Sequence, residues 1–555
     1  MPTITRKKIK GKPYYYAVQS AWVDGKSRIV WQKYLGTAEA IMKAVTEKNV
    51  PYTAKVLDFG ALAVLYKLAG ELDLAGIIDR HVSKRDQGVS VGQYMLIAAL
   101  NRAVAPTSKR QIGNWFENTS LCRWLPIKSK QLSSQRFWDH MGYLDEKIIS
   151  AIELELTQKM VEKFNLDLKT VLYDATNFCT YIDTATESEL PQRGNSKAKR
   201  GDLKQVSLAL LATYDFHIPL FHAVYPGNRP DSKEFGYVVK DLIERYRILA
   251  RESVDITFIF DKGNNSKDNF KEFVGTVKFI GSLSPSHHGE LLEVPFEEFV
   301  PLSIGGVNAY RTAKKVFGAE RTVIVTYNES LYLGQMQGLI KQLRRAQGSL
   351  RELKKQLEEQ SRRKKGKKIN RTSALQKIAG ILSPPLSKMI SYELKGEDVE
   401  LSLSYHFDHL AQEAYTRVHF GKNILFTNQH DWSTEEIVTA YRGQARIEDA
   451  FKLMKDAHFI GWSPMFHWTD QKIAVHGFYC VLALTLLSLL ARELQSKGFD
   501  VSKETALKEL ARVYEVAHIY SPESKQKNVF TLSERSELQQ KLLNAFGLTE
   551  LHMNG

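Results

Sequence analysis

LKTVLYDATNFCTYI, residues 168–182, sets an acid in the middle of an apolar strand. Val171, Leu172 and Tyr173 precede Asp174, and Ala175 and Phe178 follow it, so the strand reads as buried. A carboxylate there has to be paired or bound to a cation, because a buried unpaired charge is costly. Two further strands follow, VSLALLATYD (206–215) and PLFHAVYPGN (219–228), with a short turn around His217. DSKEFGYVVKDLIERYR (231–247) has helical spacing and an Asp start. DITFIFDKG (255–263) is an apolar strand that ends on Asp261, and NFKEFVGTVKFIGSLS (269–284) supplies a short helix and a fifth strand.

Three strands, a helix, a strand, a helix and a strand is the order of an RNase H-like core that lacks only its last long helix. STEEIVTAYRGQARIEDAFKLMK (433–455) predicts that helix. Ser433 and Glu436 stand at capping-box spacing at its start. Tyr441, Glu448 and Lys455 are seven residues apart and share a face, which Gln444 and Lys452 flank. Three carboxylates, Asp174, Asp261 and Glu448, therefore fall on two strands and one helix of a single split core. An oxygen-only set of this kind suits a hard divalent cation, Mg²⁺ or Mn²⁺. Two such ions can activate an attacking oxygen and stabilise a leaving one in phosphodiester chemistry. Each acid alone would be read as a cap or an ion-pair partner; their joint placement carries the reading. The pairs His217/His222 and His287/His288 have no third ligand spaced for zinc and read as core or surface residues.

The bulk composition agrees with a nucleic-acid partner. Lys and Arg number 77 against 62 Asp and Glu, a formal net charge of +15 over 555 residues. Residues 341–371 hold 13 basic residues and three Glu, so 13 − 3 places +10 in one segment. Concentrated basic charge of this kind is the footprint of phosphate contact. Met336, Leu339, Leu343, Ala346, Leu350, Leu353 and Leu357 make a heptad stripe through it. The stripe predicts an arm that folds back on residues 374–382 or pairs with a second subunit. Arg362, Arg363, Lys364 and Lys365 at its tip are candidate DNA contacts. Cys122, Cys179 and Cys480 form no CxxC pair, which argues against a zinc ribbon or a disulfide framework. That cysteine usage fits a reduced cytoplasmic compartment, and the basic N-terminus lacks an apolar run, so no signal peptide is expected. Ile473–Ala491 is uncharged over 19 residues and long enough to span a membrane, but it stands alone and reads as a buried core helix.

The chain resembles bacterial insertion-sequence transposases of the DDE type, in the group with a Tyr-Arg-Glu-Lys signature. DAT (174–176), FDKGNNS (260–266) and YRGQARIEDAFKLMK (441–455) carry the resemblance, which covers roughly 168–490. RGDLKQV, YPGNRPDS and the apolar helix after FHWTDQK are similar to the family as well. The resemblance implies cutting at transposon ends followed by attack of the freed 3′-hydroxyl on target DNA. It assigns Asp174, Asp261 and Glu448 as catalytic metal ligands, with two ions. Tyr441 and Lys455, helped by Lys452, would hold the DNA backbone, and a homodimer would form on paired ends. The group's usual Arg three residues after the Tyr is Gln444 here, so Arg442 or Arg446 would have to take its phosphate-clamping role. Two rival readings stay open: a transposase-derived DNA-binding protein without catalysis, and a nuclease with the same core that cuts without strand transfer. A third, a membrane-associated basic protein, rests on Ile473–Ala491.

The expected organisation is a multidomain α+β chain. Residues 1–55 hold a β-hairpin, YYYAVQSAWV and RIVWQKYL around Asp24-Gly25. Residues 56–166 are expected to be helical, with SKRQIGNWFEN and LSSQRFWDHMGYL as basic-faced helices that suit either a DNA-binding domain of helix-turn-helix type or an ordinary helical bundle with a solvated basic face. The core occupies 167–283 and 431–495. A β-rich insertion, 284–430, contains TVIVTYN, VELSLSYHF, NILFTN and the basic arm (about 335–382). Residues 496–555 are expected to be helical.

Overall fold

The computed structural model describes residues 2–554, apart from 24, 47–50, 85–86, 184, 195–199, 230–234, 237–239, 242–243, 246–247, 249–255, 266–268, 271–276, 363–367, 398–399, 457–458, 464 and 521–525. The side chains at 23, 45–46, 264, 361–362 and 554 also lie outside the description. The chain divides into two compact units: residues 1–64, 114–126 and 504–555 form one, and residues 65–113 and 127–503 form the other.

In the first unit the expected hairpin is a three-stranded antiparallel sheet, β1 (Thr3–Ile9), β2 (Lys12–Val23) and β3 (Lys26–Gly36). The extra strand is joined by a tight turn at Lys10 (φ 48°) and Gly11 (φ 80°). Positive φ at both central residues is the geometry that matches strand twist in two-residue hairpins. A second sheet pairs β4 (Thr53–Asp58) with β16 (Tyr514–Ile519), and β16 with β17 (Val529–Leu532). These strands correct two expectations, a helical start at 56 and an all-helical segment 496–555. Each pattern is short, and β4 and β16 pair across more than 450 residues, beyond the reach of local periodicity.

The second unit is built on a sheet of nine described strands. They are β5 (Thr170–Thr180), β6 (Lys204–Thr213), β7 (Pro219–Pro226), β8 (Thr257–Ile259), β9 (Lys278–Leu283), β10 (Val300–Pro301), β11 (Val307–Val316), β12 (Ala319–Asn328) and β15 (Lys422–Thr427). Their order is β10-β11-β12-β15-β9-β8-β5-β6-β7. β5, β6 and β7 are antiparallel neighbours, whereas β5, β8 and β9 run parallel. Counted from β5, the first five strands thus lie in the order third, second, first, fourth, fifth. Four strands of the insertion do not form a separate β body: β15 pairs with β9 and β12 with β15, so β10, β11, β12 and β15 extend the same sheet. Buried Phe258, Phe260, Phe279 and Phe426 make one continuous core on that sheet.

The basic arm is the helix Glu329–Arg362. Its stripe is covered within the chain: Leu350 and Leu357 are fully buried and pack with Ala374 and Ile378 of the helix Arg371–Ile381. The hairpin β13 (Ile390–Lys395) and β14 (Ser402–Phe407) completes that small core. Fold-back therefore occupies the stripe that a second subunit could otherwise have used.

The helices of residues 65–113 and 127–166 join this unit and do not stand apart as a domain. Val91–Val104 is buried except at Gln93 and Val104 and packs on the helix Asp470–Ser496. The latter contains the apolar run, and its most apolar window, of mean hydropathy 2.1, is 100% buried inside the fold. Lys109 in the expected basic helix points inward. Its Nζ donates to the Tyr479 hydroxyl at 2.6 Å and meets His467 Nε2 at 2.7 Å.

That buried cationic cluster makes the unit sensitive to acid. Burial, then Lys109, Arg102 and Lys472, lowers His467 to about 2. Burial also lowers His217 to about 4, assisted by Lys503 and Arg446, and pushes His476 well down. The unfolded chain takes up these protons near pH 6.5 while the folded chain refuses them. Stability is therefore full above about pH 6.5 and falls as the pH drops toward 4 and below, by roughly 1.4 kcal/mol per pH unit per histidine. We expect the urea midpoint to fall between pH 7 and pH 5, and His467→Gln to shrink that fall; identical pH profiles for the two proteins would contradict it.

Candidate active site

Asp174 sits mid-way along β5, opposite Leu210 of β6. Asp261 lies two residues beyond the end of β8, the parallel neighbour of β5. Ligands collect at such carboxyl ends of strands. Glu448 comes from the helix Thr434–Lys455, which crosses β5, β8 and β9. The capping box is formed: Ser433 Oγ accepts from Glu436 N at 3.2 Å, and Glu436 Oε2 accepts from Ser433 N at 2.7 Å. Those bonds lower the Glu436 carboxyl below its usual range.

Two contacts set this helix on the sheet. Gln444 is buried, and its Nε2 donates to the Tyr173 carbonyl at 2.9 Å, one residue before Asp174. Gly443 lets the backbone reach the Tyr214 ring: a Cβ there would stand 2.3 Å from Tyr214 Cε2. The Tyr214 hydroxyl donates to the Thr439 carbonyl at 3.0 Å, which holds the ring against the helix.

Asp174, Asp261 and Glu448 line one cavity of about 430 Å³, together with Tyr441, Arg442 and Gln444. Thr326, Asn328 and Asn423, on the insertion strands β12 and β15, make part of its wall. Asp261 Oδ1 accepts from Ser282 Oγ at 3.1 Å and from the Tyr441 hydroxyl at 3.2 Å. Asp174 Oδ1 accepts from the Ala175 amide at 2.8 Å. Burial first, then the negative charge of Asp261, raises the Tyr441 hydroxyl well above its ordinary value. At neutral pH it therefore stays protonated and keeps donating. The Gln444 Oε1 is a buried acceptor without a hydrogen-bond partner among the described residues, in the lining of the same cavity.

The remaining candidates separate. Arg442 lines the cavity with its guanidinium beside Gly305. Lys455 Nζ donates to Thr176 Oγ1 at 2.6 Å, two residues along β5 from Asp174. Lys452 is exposed, pairs with Asp449 at 2.7 Å and feels the charge of Glu448. Arg446 lies on the far side of the helix, where its charge acts on Tyr214 and His217. Two residues from Glu448 is about 200° around a helix, so Arg446 cannot serve as the clamp beside it. Arg362, Arg363, Lys364 and Lys365 lie outside the described residues or side chains. Ser282, Thr326, Asn328 and Asn423 were not foreseen. Only Ser282 left a signal, its place near the end of the strand beside the one that leads to Asp261.

Among the described residues, no three His, Cys, Asp or Glu side chains are gathered at metal-ligating distance. The three carboxylates share a cavity without closing on a common point. Their chemistry still suits a hard cation: oxygen donors only, with no imidazole or thiolate in the lining. Glu448 is exposed and carries a long side chain on a helix surface, so it has rotameric freedom to approach the other two.

No protein-family model and no curated protein matches the chain. Among solved structures, a piggyBac transposase in a synaptic complex with hairpin DNA is similar over 83% of this chain and 82% of that one, at 9% identity and a TM-score of 0.38.

Proposed function

We propose that the chain is a DDE-type DNA transposase, which cuts the ends of its element and joins the freed 3′-hydroxyls to target DNA. The observation that carries this reading is the meeting of Asp174, Asp261 and Glu448 in one cavity. The strand order third, second, first, fourth, fifth, with a helix bearing the last acid across it, supports an RNase H-like core. Both reactions are in-line displacements at phosphorus, for which one acidic centre suffices.

Asp174, Asp261 and Glu448 would hold Mg²⁺ or Mn²⁺, two ions in this reading, which supply Lewis-acid activation of the attacking and leaving oxygens. The chain's own groups prepare the site. Tyr441 and Ser282 orient the Asp261 carboxylate through its Oδ1. Gln444 ties the helix that carries Glu448 to the strand that carries Asp174. Arg442 offers a guanidinium to a phosphate entering the cavity, the bidentate geometry that arginine suits. Lys455 supplies a second cation along β5. Duplex DNA is the substrate and partner in this reading, and the assembly on paired ends is a homodimer. The test is cleavage of a duplex carrying the element's terminal repeats. Cutting is expected with Mg²⁺ and not with EDTA; cutting that proceeds equally in EDTA would overturn the proposal.

A further inference from the structure

The N-terminal sheet is a second charged surface, separate from the cavity. Residues 1–36 hold eight Lys or Arg and one Asp, a net +7. In antiparallel pairs, residues opposite each other share a face. The registers Ile4↔Ala17, Arg6↔Tyr15 and Lys8↔Pro13 place Arg6 and Lys8 on one face with the odd-numbered residues of β2. Ala17↔Lys33, Gln19↔Trp31, Ala21↔Arg28 and Val23↔Lys26 add Lys33, Trp31, Arg28 and Lys26 to it. The five cations are exposed, and Trp31 among them is 47% exposed. The opposite face is different in kind. It holds Val18, 2% exposed, and the tilted tyrosines Tyr14, Tyr16 and Tyr34, with Lys7 over the Tyr16 ring.

The two faces thus differ: one carries aromatic and aliphatic side chains with Lys7 and Lys12, the other five exposed cations around Trp31. A surface that is merely soluble carries charges of both signs interspersed. The cationic face carries no described acid. Antiparallel strands are an established way of lying against duplex DNA, and exposed cations on such a face contact phosphates. We infer that this face, through Arg6, Lys8, Lys26, Arg28 and Lys33 around Trp31, docks on the sugar-phosphate backbone of duplex DNA. The inference stands on the sheet alone and does not need the acidic cavity to be catalytic.

The test is binding of the full-length protein to a fluorescent 30-base-pair duplex of arbitrary sequence in EDTA, followed by anisotropy across a salt series. Arg28→Ala/Lys33→Ala should weaken binding on the order of 10- to 100-fold at 0.1 M salt and lower the log–log salt slope by about 1.8, two contacts at ~0.9 each. Lys7→Ala/Lys12→Ala removes the same charge from the other face and should change affinity less than threefold. Equal loss from both pairs would mean bulk charge and would overturn the docking face, as would no loss from either. Loss of binding to vesicles of anionic phospholipid, with duplex binding kept, would assign the face to a membrane and overturn it too. Unchanged circular dichroism for both variants shows that the sheet is still folded.

Discussion

Asp261→Asn is expected to abolish metal-dependent cutting, by about 10³-fold or more, the loss of roughly 4 kcal/mol of barrier lowering. Asparagine keeps the size of the side chain and an oxygen that can accept from Ser282 and Tyr441, the two donors on Asp261 Oδ1. Packing therefore survives while the negative charge is lost. The thermal midpoint should rise or stay level, because the cavity loses one of its mutually repelling carboxylates. Ser282→Ala removes a donor and leaves the charge, so its effect should be an order of magnitude or two smaller. Asp261→Asn that cuts at the wild-type rate, with Mg²⁺ present and DNA bound, would show that the carboxylate has no part in the reaction.

The second large effect comes from a residue with no side chain. Gly443→Val places atoms where a Cβ alone would stand 2.3 Å from Tyr214 Cε2, and the ring is held by its hydroxyl on the Thr439 carbonyl at 3.0 Å. The helix must then back away from the sheet, and Tyr441, Gln444 and Glu448 move with it. A displacement near 1 Å at a reacting centre costs on the order of 10²-fold in rate, and overpacking costs about 1–3 kcal/mol of stability. Both should be seen, in cleavage kinetics and in urea unfolding. Tyr214→Ala in the same chain opens the space and should restore most of the rate. A double variant no better than Gly443→Val would contradict the steric account.

The parts of this site that sequence reasoning reaches share a physical cause. Asp174 stands in an apolar strand where a carboxylate has no ordinary place, Asp261 closes the apolar run that follows Thr257, and Glu448 recurs with Tyr441 and Lys455 on one face of a helix that a capping box starts. Those are local signals. The arm is legible for the same reason, since Leu350 and Leu357 lie on a regular stripe. What escapes local reading is pairing at a distance. β4 meets β16 across more than 450 residues, and β12 and β15 join the central sheet instead of closing on themselves. Their side chains Thr326, Asn328 and Asn423 therefore reach the cavity unannounced. Lys109 misleads in the opposite sense: a basic residue in a polar helix reads as solvent-facing, but it turns inward to Tyr479 and His467. Gln444 shows the limit of analogy by position. Where a cation was the expected residue, a buried amide instead fastens the helix to β5.

The central claim is that Asp174, Asp261 and Glu448 act together on a divalent cation, and the most direct measurement is Mn²⁺ binding followed by electron paramagnetic resonance. The wild-type protein should take up Mn²⁺ in a saturable manner, and Mg²⁺ should displace it. The triple variant Asp174→Asn/Asp261→Asn/Glu448→Gln, folded by circular dichroism and still binding duplex DNA, should lose that uptake. If the triple variant binds Mn²⁺ with the wild-type stoichiometry and affinity, the three carboxylates are not a metal centre.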